Sequence, residues 1–258
     1  MARIHPSAVV DPAAKLADDV EVGAFAWIGP GVELGPGVAV ANHVSLGGAT
    51  RIGARTRIFP FAALGGEPQD RTFSGERTRL EIGADNVIRE GVTLHVGTPK
   101  GGGCTRIGDD NLIMNGAHIA HDCQIGSHAI VASFCGLAGH VEVGDWAVLG
   151  AYTGVHQFAR VGESAMTAAN SMLSLDAPPF AMVAGDRARV VGLNAVGLRR
   201  RELSAEAMRA LKHAFHLLFT SKLRFEQAVA RVREELAGSP EVGRLLRFLE
   251  DSKRGVCR

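Results

Sequence analysis

Aliphatic residues recur at every sixth position along most of the chain. From Ile4 to Leu64, each sixth residue is Ile, Leu or Val. After an interruption the count returns from Ile82 to Leu94 and then, shifted by one position, continues from Ile107 to Val161. Neither the period of an α-helix nor the alternation of a simple strand produces a strict period of six. The pattern therefore predicts a repeat architecture.

We interpret the repeat as a solenoid of short β-strands, in which each hexad supplies a strand, a turn and one inward aliphatic side chain. A single hexad cannot bury that side chain alone, but stacked coils share a continuous core. The repeat resembles that of hexapeptide-repeat transferases, which are left-handed parallel β-helices. The resemblance implies three hexads, or about 18 residues, per coil, and a handedness opposite to that of most strand crossovers.

Two polar, turn-rich segments interrupt the count, at residues 66–80 and 97–106. The first contains Gly66-Glu67-Pro68-Gln69-Asp70, and the second contains Pro99 and Gly101-Gly102-Gly103. Both are predicted to be loops outside the solenoid, where binding residues often lie, although insertions without a role give the same pattern.

The repeat fades after Val161, and the last part of the chain has helical signals. Ser204 is a candidate N-cap, a second helix fits Phe225 to Leu236, and Ser239-Pro240 predicts a third helix start. We therefore expect an all-β left-handed parallel β-helix over residues 1–190 and a small α-helical domain over residues 191–258. From Arg187 onward there are 16 Lys or Arg against 8 Asp or Glu, which suits an acidic partner or an ordinary solvated surface.

Composition narrows the class of protein. The 258 residues are 46% hydrophobic but only 5% aromatic, with 32 glycines, so the core consists of small and β-branched side chains. A formal net charge of +1 argues against a general nucleic-acid binder. No secretion signal or run of about 18 apolar residues is evident. The four cysteines form no C-x-x-C pair, which predicts reduced thiols and a cytoplasmic protein.

Candidate chemistry lies in the middle of the chain. Residues one coil apart stack at about 4.8 Å, as in any β-ladder. Gly139 is therefore expected above His121, Gln157 above Gly139, and His140 above Asp122. His118 and His156 belong to the same coils as His121 and Gln157.

Three interpretations of this cluster remain open. The side chains are polar turn residues with a structural role, or they bind zinc as the three histidines of hexapeptide-repeat carbonic anhydrases do, or they catalyse acyl transfer. In the third case a histidine removes a proton from a hydroxyl group, a carboxylate fixes its tautomer, and a glycine N–H stabilises the oxyanion.

The chain is similar over its length to the acyl-carrier-protein-dependent UDP-N-acetylglucosamine O-acyltransferases, which begin lipid A synthesis. The motifs that carry the resemblance are Gly-Glu-Pro-Gln69-Asp70, Ile88-Arg89-Glu90, His95 with Gly101-Gly102-Gly103, Asn115-x-x-His118-Ile-Ala-His121-Asp122, Leu137-Ala-Gly139-His140, Val155-His156-Gln157-Phe158, Pro178-Pro179 and Asn194-x-x-Gly197-Leu-x-Arg200-Arg201.

The resemblance implies a role for each motif. His121 is the general base, the Gly139 amide forms part of the oxyanion hole, and Asp70 contacts the sugar and supports His121. Residues that hold substrate or thioester are Gln69, His118, Asp122, His140, His156 and Gln157. Asn194 and Arg200 bind the uridine diphosphate, Arg200 through its forked guanidinium group.

The resemblance also implies the partners. The donor is an (R)-3-hydroxyacyl group on acyl carrier protein, whose acidity suits the basic C-terminal segment. The family is a homotrimer with sites between subunits and needs no metal or other cofactor. Met166 and Ala169 match positions that limit acyl length, and Ala169 in place of Gly predicts an acyl chain somewhat shorter than the longest that the family uses.

Two positions depart from the family pattern. Thr72, beside Arg71, replaces a usual Lys, so a phosphate or sugar contact is lost or moved to Arg71. Val196 replaces a frequent acidic residue, which affects a ribose or uracil contact.

Rival functions fit less well. The related N-acyltransferases carry an additional N-terminal domain, for which a repeat that begins at Ile4 leaves no room. A coenzyme A-dependent acetyltransferase does not account for the segment Asn194–Arg201 or the C-terminal helices. A purely structural solenoid does not need the stacked histidine, glycine and glutamine. The acceptor remains open between a 3-hydroxyl and a 3-amino sugar nucleotide.

Overall fold

The predicted solenoid is present in the computed structural model, which describes residues 1–258. The chain forms a left-handed parallel β-helix, and its strands build three sheets that we call A, B and C. Arg3 pairs with Glu21, and Glu21 pairs with Ala39, so one coil has 18 residues. This spacing agrees with the coil length that the resemblance implies.

Between residues 3 and 161, each coil gives one strand to each sheet. Sheet A contains β1 (Arg3–Ile4), β4 (Glu21–Val22), β7 (Ala39–Val40), β10 (Arg57–Ile58), β13 (Val87–Ile88), β16 (Leu112–Ile113), β19 (Ile130–Val131), β22 (Val148–Leu149), β25 (Met166–Thr167), β27 (Ala181–Ala184) and β28 (Arg189–Leu193). Sheet B contains β2 (Val9–Val10), β5 (Trp27–Ile28), β8 (Ser45–Leu46), β11 (Ala63–Gly66), β14 (Thr93–His95), β17 (His118–Ile119), β20 (Gly136–Leu137), β23 (Gly154–Val155) and β26 (Met172–Leu173). Sheet C contains β3 (Lys15–Leu16), β6 (Glu33–Leu34), β9 (Ala49–Ile52), β12 (Arg79–Ile82), β15 (Cys104–Ile107), β18 (Gln124–Ile125), β21 (Glu142–Val143) and β24 (Arg160–Val161).

The core is the interior of this prism. The inward residue of each hexad is buried from the second coil onward, for example Ile28, Leu46, Ile119 and Leu137. Ile4, predicted to point inward, is 46% exposed because it lies in the first coil, below which no further coil covers it. Stacking of aliphatic side chains from coil to coil therefore supplies the apolar burial that stabilises the solenoid.

Both interruptions of the repeat leave the prism at the same edge. Loop 1 (residues 67–78) connects β11 of sheet B to β12 of sheet C, and loop 2 (residues 96–103) connects β14 of sheet B to β15 of sheet C. Ile58 pairs with Ile88 and Ile88 with Ile113, so the two loops add 12 and 7 residues to coils of 18. Loop 2 is shorter than predicted because Cys104–Ile107 pairs in register with Arg79–Ile82.

The C-terminal segment is helical, with α1 (Ala195–Arg200), α2 (Ala205–Phe215), α3 (Phe225–Glu235) and α4 (Pro240–Glu250), and a π-helical turn at His216–Thr220. The predicted N-caps at Ser204 and Ser239 are confirmed, since their side chains accept hydrogen bonds from Ala207 N and Val242 N. Helix α1 was not predicted. The proposed domain boundary after residue 190 lies within β28, which pairs with β27.

The final residues return to the solenoid beyond α4. The backbone N–H of Cys257 donates to Asp176 O at 2.8 Å, and Ser252 Oγ donates to Asp176 Oδ2 at 2.8 Å. The helical segment is thereby attached to the last coil at both its ends. None of the helices has the length and hydropathy that a bilayer-spanning segment requires.

Candidate active site

The functional candidates gather at the edge where sheets B and C meet, which we call the B–C edge. Loop 1 and loop 2 form its lower part. Above them lie three successive turns, which contain His121-Asp122, Gly139-His140 and Gln157-Phe158. Backbone hydrogen bonds join these turns, from His140 N to His121 O at 3.0 Å and from Phe158 N to Gly139 O at 3.1 Å. The stacking inferred from the six-residue count agrees with this register.

His121 and Asp122 form a buried pair. His121 Nδ1 lies 2.8 Å from Asp122 Oδ2, and the two side chains are 10% and 0% exposed. Asp122 adopts the left-handed conformation, with φ of 61°, that asparagine and aspartate tolerate best among residues with a side chain. Because a carboxylate can only accept, a neutral His121 carries its proton on Nδ1 and leaves the Nε2 lone pair free. The free nitrogen is the one that a general base requires.

Gly139 lies against the ring of His121. A Cβ atom at this position would lie 2.6 Å from His121 Cε1 and 2.8 Å from Nε2, so only glycine admits the ring. The Gly139 N–H donates to no acceptor in the chain. An open N–H beside the free ring nitrogen is the arrangement that a tetrahedral oxyanion needs.

Two further histidines flank the pair. His140 Nε2 lies 3.7 Å from Asp122 Oδ2, and its ring stacks on Phe158 with centroids 4.5 Å apart. Burial lowers the pKa of His140, although the neighbouring Asp122 carboxylate opposes this shift. His118 Nδ1 lies 2.8 Å from Thr93 Oγ1, and burial followed by the nearby His95 lowers the pKa of His118. Both rings are therefore expected to be neutral hydrogen-bonding groups near pH 7.

Within one chain Asp70 makes no hydrogen bond to His121, so its predicted support of His121 and its contact with the sugar remain predictions. The Asp70 carboxylate instead accepts hydrogen bonds from Thr72 N at 2.9 Å and Thr72 Oγ1 at 3.0 Å, which lower its pKa. Asp122 makes the contact with Nδ1, because its left-handed backbone turns the carboxylate back toward the preceding ring. The Asp122 side chain is fully buried in this chain and contacts His121, and its predicted contact with substrate or thioester remains a prediction.

Lys100 of loop 2 lies next to Thr72, the position at which the family usually has a lysine. Lys100 Nζ donates to Thr72 Oγ1 at 3.2 Å, so an ammonium group lies beside the residue that replaces the expected lysine. Gln69 and Arg71 are exposed on loop 1. Lys100 was not predicted as a site residue, but both loops interrupt the six-residue repeat after a strand of sheet B. That shared position indicates that they leave the same edge.

His156 and Gln157 are exposed one coil above Gly139. His156 Nδ1 lies 3.2 Å from an Arg254 guanidinium nitrogen and 3.0 Å from Gln157 O. Arg254 also donates to Ser174 O, so the C-terminal residues contribute to the upper end of the B–C edge. No pattern in the sequence pointed to Arg254, since it lies 98 residues from His156.

The remaining predicted residues lie elsewhere in the single chain. Met166 belongs to sheet A, and Ala169 lies between sheets A and B. Asn194 caps α1, accepting from Gly197 N and donating to Ser164 O at 2.9 Å, on the edge between sheets C and A. Arg200, at the end of α1, is exposed. One chain therefore does not bring these four residues to His121, and their predicted contacts with substrate remain predictions.

A metal ion has one candidate set of ligands at this edge. Ligand atoms of His121, Asp122 and His140 lie within 4.8 Å of one another. The Asp122 oxygens, however, already accept hydrogen bonds from His121 Nδ1, Thr98 N and Thr98 Oγ1. A metal would have to displace these donors, so the geometry favours a hydrogen-bonded carboxylate that orients a histidine.

Known proteins resemble this chain over its whole length. The family model described as UDP-N-acetylglucosamine O-acyltransferase, domain 2, matches residues 176–257, and the bacterial transferase hexapeptide model matches residues 104–139. An acyl-[acyl-carrier-protein]–UDP-N-acetylglucosamine O-acyltransferase from Syntrophobacter fumaroxidans is 48% identical, with 99% of this chain and 100% of that protein covered. The protein of the same name from Thiobacillus denitrificans is 50% identical, with both chains covered completely.

Solved structures also resemble the chain over its whole length. The crystal structure of UDP-N-acetylglucosamine O-acyltransferase from Moraxella catarrhalis superposes with a TM-score of 0.95, at 37% identity and 99% coverage of both chains. That of the UDP-N-acetylglucosamine acyltransferase from Bacteroides fragilis gives a TM-score of 0.96 at 36% identity, with 99% of this chain and 100% of that chain covered.

Proposed function

The chain belongs to the family of acyl-[acyl-carrier-protein]–UDP-N-acetylglucosamine O-acyltransferases, and we propose that it transfers an (R)-3-hydroxyacyl group from acyl carrier protein to the 3-hydroxyl group of UDP-N-acetylglucosamine. The product is an ester, and the reaction is the first step of lipid A synthesis. The observation that carries the mechanism is the placement of His121, whose Nδ1 is bound by Asp122 and whose Nε2 lies beside Gly139.

The free nitrogen of His121 acts as the general base. Nε2 takes the proton of the sugar 3-hydroxyl group as the oxygen attacks the thioester carbonyl carbon. Asp122 holds the ring in the required tautomer and stabilises the imidazolium that forms. The tetrahedral intermediate then collapses, the carbon–sulfur bond breaks, and the imidazolium returns the proton to the departing thiolate. No covalent enzyme intermediate is needed.

The Gly139 N–H stabilises the oxyanion of that intermediate. This role is supported by an N–H without an acceptor in the chain and by the contact between Gly139 and the His121 ring. A donor fixed in place before the reaction contributes more than water can, because it does not reorient as charge develops. His140 and His118, whose pKa values are lowered, are neutral donors for substrate oxygen atoms.

The acceptor binds over the two loops. Asp70, kept ionised by Thr72, accepts from sugar hydroxyl groups, and Gln69 is exposed next to it. Lys100 contacts a phosphate or sugar oxygen in place of the missing lysine, a role supported by its hydrogen bond to Thr72. His156 and Gln157 hold the thioester side of the complex.

The enzyme is a homotrimer in which a neighbouring subunit completes each site. Met166 and Ala169, and Asn194 and Arg200, lie away from the B–C edge of their own chain. If they contact substrate, they contact it in a neighbour's site. In that site Arg200 and Asn194 meet the nucleotide, and Met166 and Ala169 limit the acyl chain. The basic C-terminal segment attracts the acidic acyl carrier protein.

Mass spectrometry of reaction products tests this function. Purified protein is given a ladder of hydroxyacyl thioesters of acyl carrier protein, with UDP-N-acetylglucosamine or its 3-amino analogue as acceptor. We expect an O-acylated product, and a preference for a chain shorter than the longest donor because Ala169 fills space. Exclusive reaction of the 3-amino acceptor would contradict the proposed acceptor, and a preference for the longest donor would contradict the role of Ala169.

A further inference from the structure

Loop 2 surrounds the carboxylate of Asp122. The backbone N–H of Thr98 donates to Asp122 Oδ1 at 2.7 Å, and Thr98 Oγ1 donates to Asp122 Oδ2 at 2.6 Å. Thr98 is 3% exposed, so these bonds lie in a region of low dielectric where hydrogen bonds to a charged group are strong. Together with His121 Nδ1, the carboxylate has three close donors.

Two glycines of loop 2 are needed for this arrangement. A Cβ atom on Gly97 would lie 2.8 Å from Asp122 Oδ1, and one on Gly101 would lie 2.0 to 2.4 Å from the carboxylate atoms. Neither glycine has a positive φ, so the requirement is one of space. At Gly101 the carboxylate occupies that space, whereas at Gly97 the backbone of Cys104 and Gly103 is closer still, at 2.3 and 2.6 Å. A side chain at Gly101 would expel the carboxylate from its position.

The same connection fixes the backbone of Asp122. Its N–H donates to Thr105 Oγ1 at 2.7 Å, and Thr105 lies in β15, the strand that loop 2 enters. Loop 2 and its adjoining strand therefore hold both the main chain and the side chain of Asp122. An insertion without a role would need neither the buried threonine nor the close glycines.

We propose that loop 2 is a positioning device for the general base. Thr98, with the space left by Gly97 and Gly101, fixes the ionised Asp122, which in turn fixes the tautomer and direction of His121. Thr98 touches no reacting atom and acts through Asp122. The inference rests on the proposed function, in which His121 removes the proton of the acceptor.

Substitution of Thr98 tests the chain of contacts. Thr98→Val keeps the shape and removes the hydroxyl donor, and we expect kcat to fall about 10- to 100-fold, by analogy with the loss of groups that orient metal-binding side chains. KM for UDP-N-acetylglucosamine is expected to remain within about threefold, because Thr98 does not contact substrate. Thr98→Ser, which restores the donor, should recover most of kcat.

A matched control is available at another edge. Thr56 is also buried, and its Oγ1 donates to Gly83 O at 3.0 Å, between sheets C and A. Thr56→Val removes a comparable hydrogen bond and is expected to lower stability without lowering kcat. If Thr98→Val does not fold, Thr98→Ala, which avoids a methyl group against the carboxylate, is measured in its place.

The decisive comparison uses an Asp122→Ala background. If Thr98 acts through Asp122, Thr98→Val should change kcat less than about twofold there, because the partner is already absent. An equal loss of kcat in both backgrounds would overturn the inference, as would normal kcat in Thr98→Val alone. Wild-type turnover is measured separately: absence of acyl transfer in wild type refutes the proposed function, whereas the variant ratios refute only the role of loop 2.

Discussion

Two edges of the solenoid carry the same column of residue types. At both, an aspartate, a histidine and an aromatic residue stack at intervals of one coil, all with positive φ. They are Asp110, His128 and Trp146 between sheets C and A, which we call the C–A edge, and Asp122, His140 and Phe158 at the B–C edge. Their aromatic stacking is similar, with centroids 4.0 Å apart for His128–Trp146 and 4.5 Å apart for His140–Phe158.

The carboxylates of the two columns point to different partners. At the C–A edge Asp110 Oδ2 lies 2.8 Å from Nδ1 of His128, the histidine directly above it, and both side chains are partly or largely exposed. At the B–C edge Asp122 Oδ2 lies 3.7 Å from Nε2 of His140, because Asp122 binds His121 and Thr98 instead. Both edges therefore have a histidine–aspartate contact. At the B–C edge Thr98 of loop 2 binds the Asp122 carboxylate, which contacts His121 and not the histidine one coil above.

The neighbouring columns also differ in their free N–H groups. At the C–A edge a side chain one coil above accepts from two of the turn N–H groups: Asp109 N donates to Ser127 Oγ, and Ser127 N donates to Asp145 Oδ1. At the B–C edge the Gly139 N–H has no such acceptor. The Gly139 N–H is available to substrate because no side chain one coil above accepts from it. The His121 ring fits beside Gly139 because Gly139 has no side chain.

The largest expected effect comes from removing His121, the proposed general base, which has no counterpart in the column at the C–A edge. His121→Ala should lower kcat about 10³-fold, within the range that general-base catalysis provides. His128→Ala is the matched control and should keep kcat within about twofold. Size-exclusion chromatography with light scattering checks that both variants keep the wild-type assembly. Near-normal turnover of His121→Ala would rule out its role as the base.

Gly139→Ala should follow, with a loss of about 10²-fold in kcat, the lower end of the range for the loss of one oxyanion-hole donor. The new Cβ would lie 2.6 Å from His121 Cε1 and push the ring away. Gly136→Ala, three residues earlier, is the control, since its Cβ would meet nothing within 4 Å. Steady-state kinetics measure both, and equal activities of the two variants would contradict the assignment of Gly139.

Lys100→Ala tests the cation that loop 2 adds to the B–C edge. We expect KM for UDP-N-acetylglucosamine to rise about tenfold with kcat little changed, because one charge-assisted hydrogen bond to a substrate oxygen is lost. Lys15→Ala removes an exposed lysine that pairs with Glu33 far from the loops and serves as the control. An unchanged KM in Lys100→Ala would show that Lys100 does not take the place of the family lysine that is absent at Thr72.

The smallest expected effect concerns stability and pH. Burial lowers the pKa of His140, so His140 in the folded protein binds its proton at a lower pH than in the unfolded chain, where the ordinary value is about 6.5. The free energy of unfolding therefore falls as the pH drops through that window. Between about pH 7.5 and about pH 5.5, the Tm of His140→Gln should fall less than the Tm of the wild-type protein. An equal fall in Tm for the two proteins, measured by calorimetry, would contradict the burial of a neutral His140 ring.

Much of this arrangement is predictable because the repeat has a fixed length. A strict count of six, with the three hexads per coil that the resemblance implies, places Gly139 on His121 and His140 on Asp122. The count cannot give side-chain direction, so it does not show that the Asp122 carboxylate turns back to Nδ1 of His121. The count also stops at the loops, so the contact from Thr98 to Asp122 and that from Lys100 to Thr72 depend on loop geometry that no period describes.

The tautomer of His121 can be observed directly by neutron diffraction from deuterium-exchanged crystals grown near pH 8. The proposed mechanism predicts deuterium on Nδ1, directed at Asp122, and none on Nε2, which faces the position of the acceptor hydroxyl group. Deuterium on Nε2 with a bare Nδ1 would contradict it, because the ring would then have no lone pair available to take the proton.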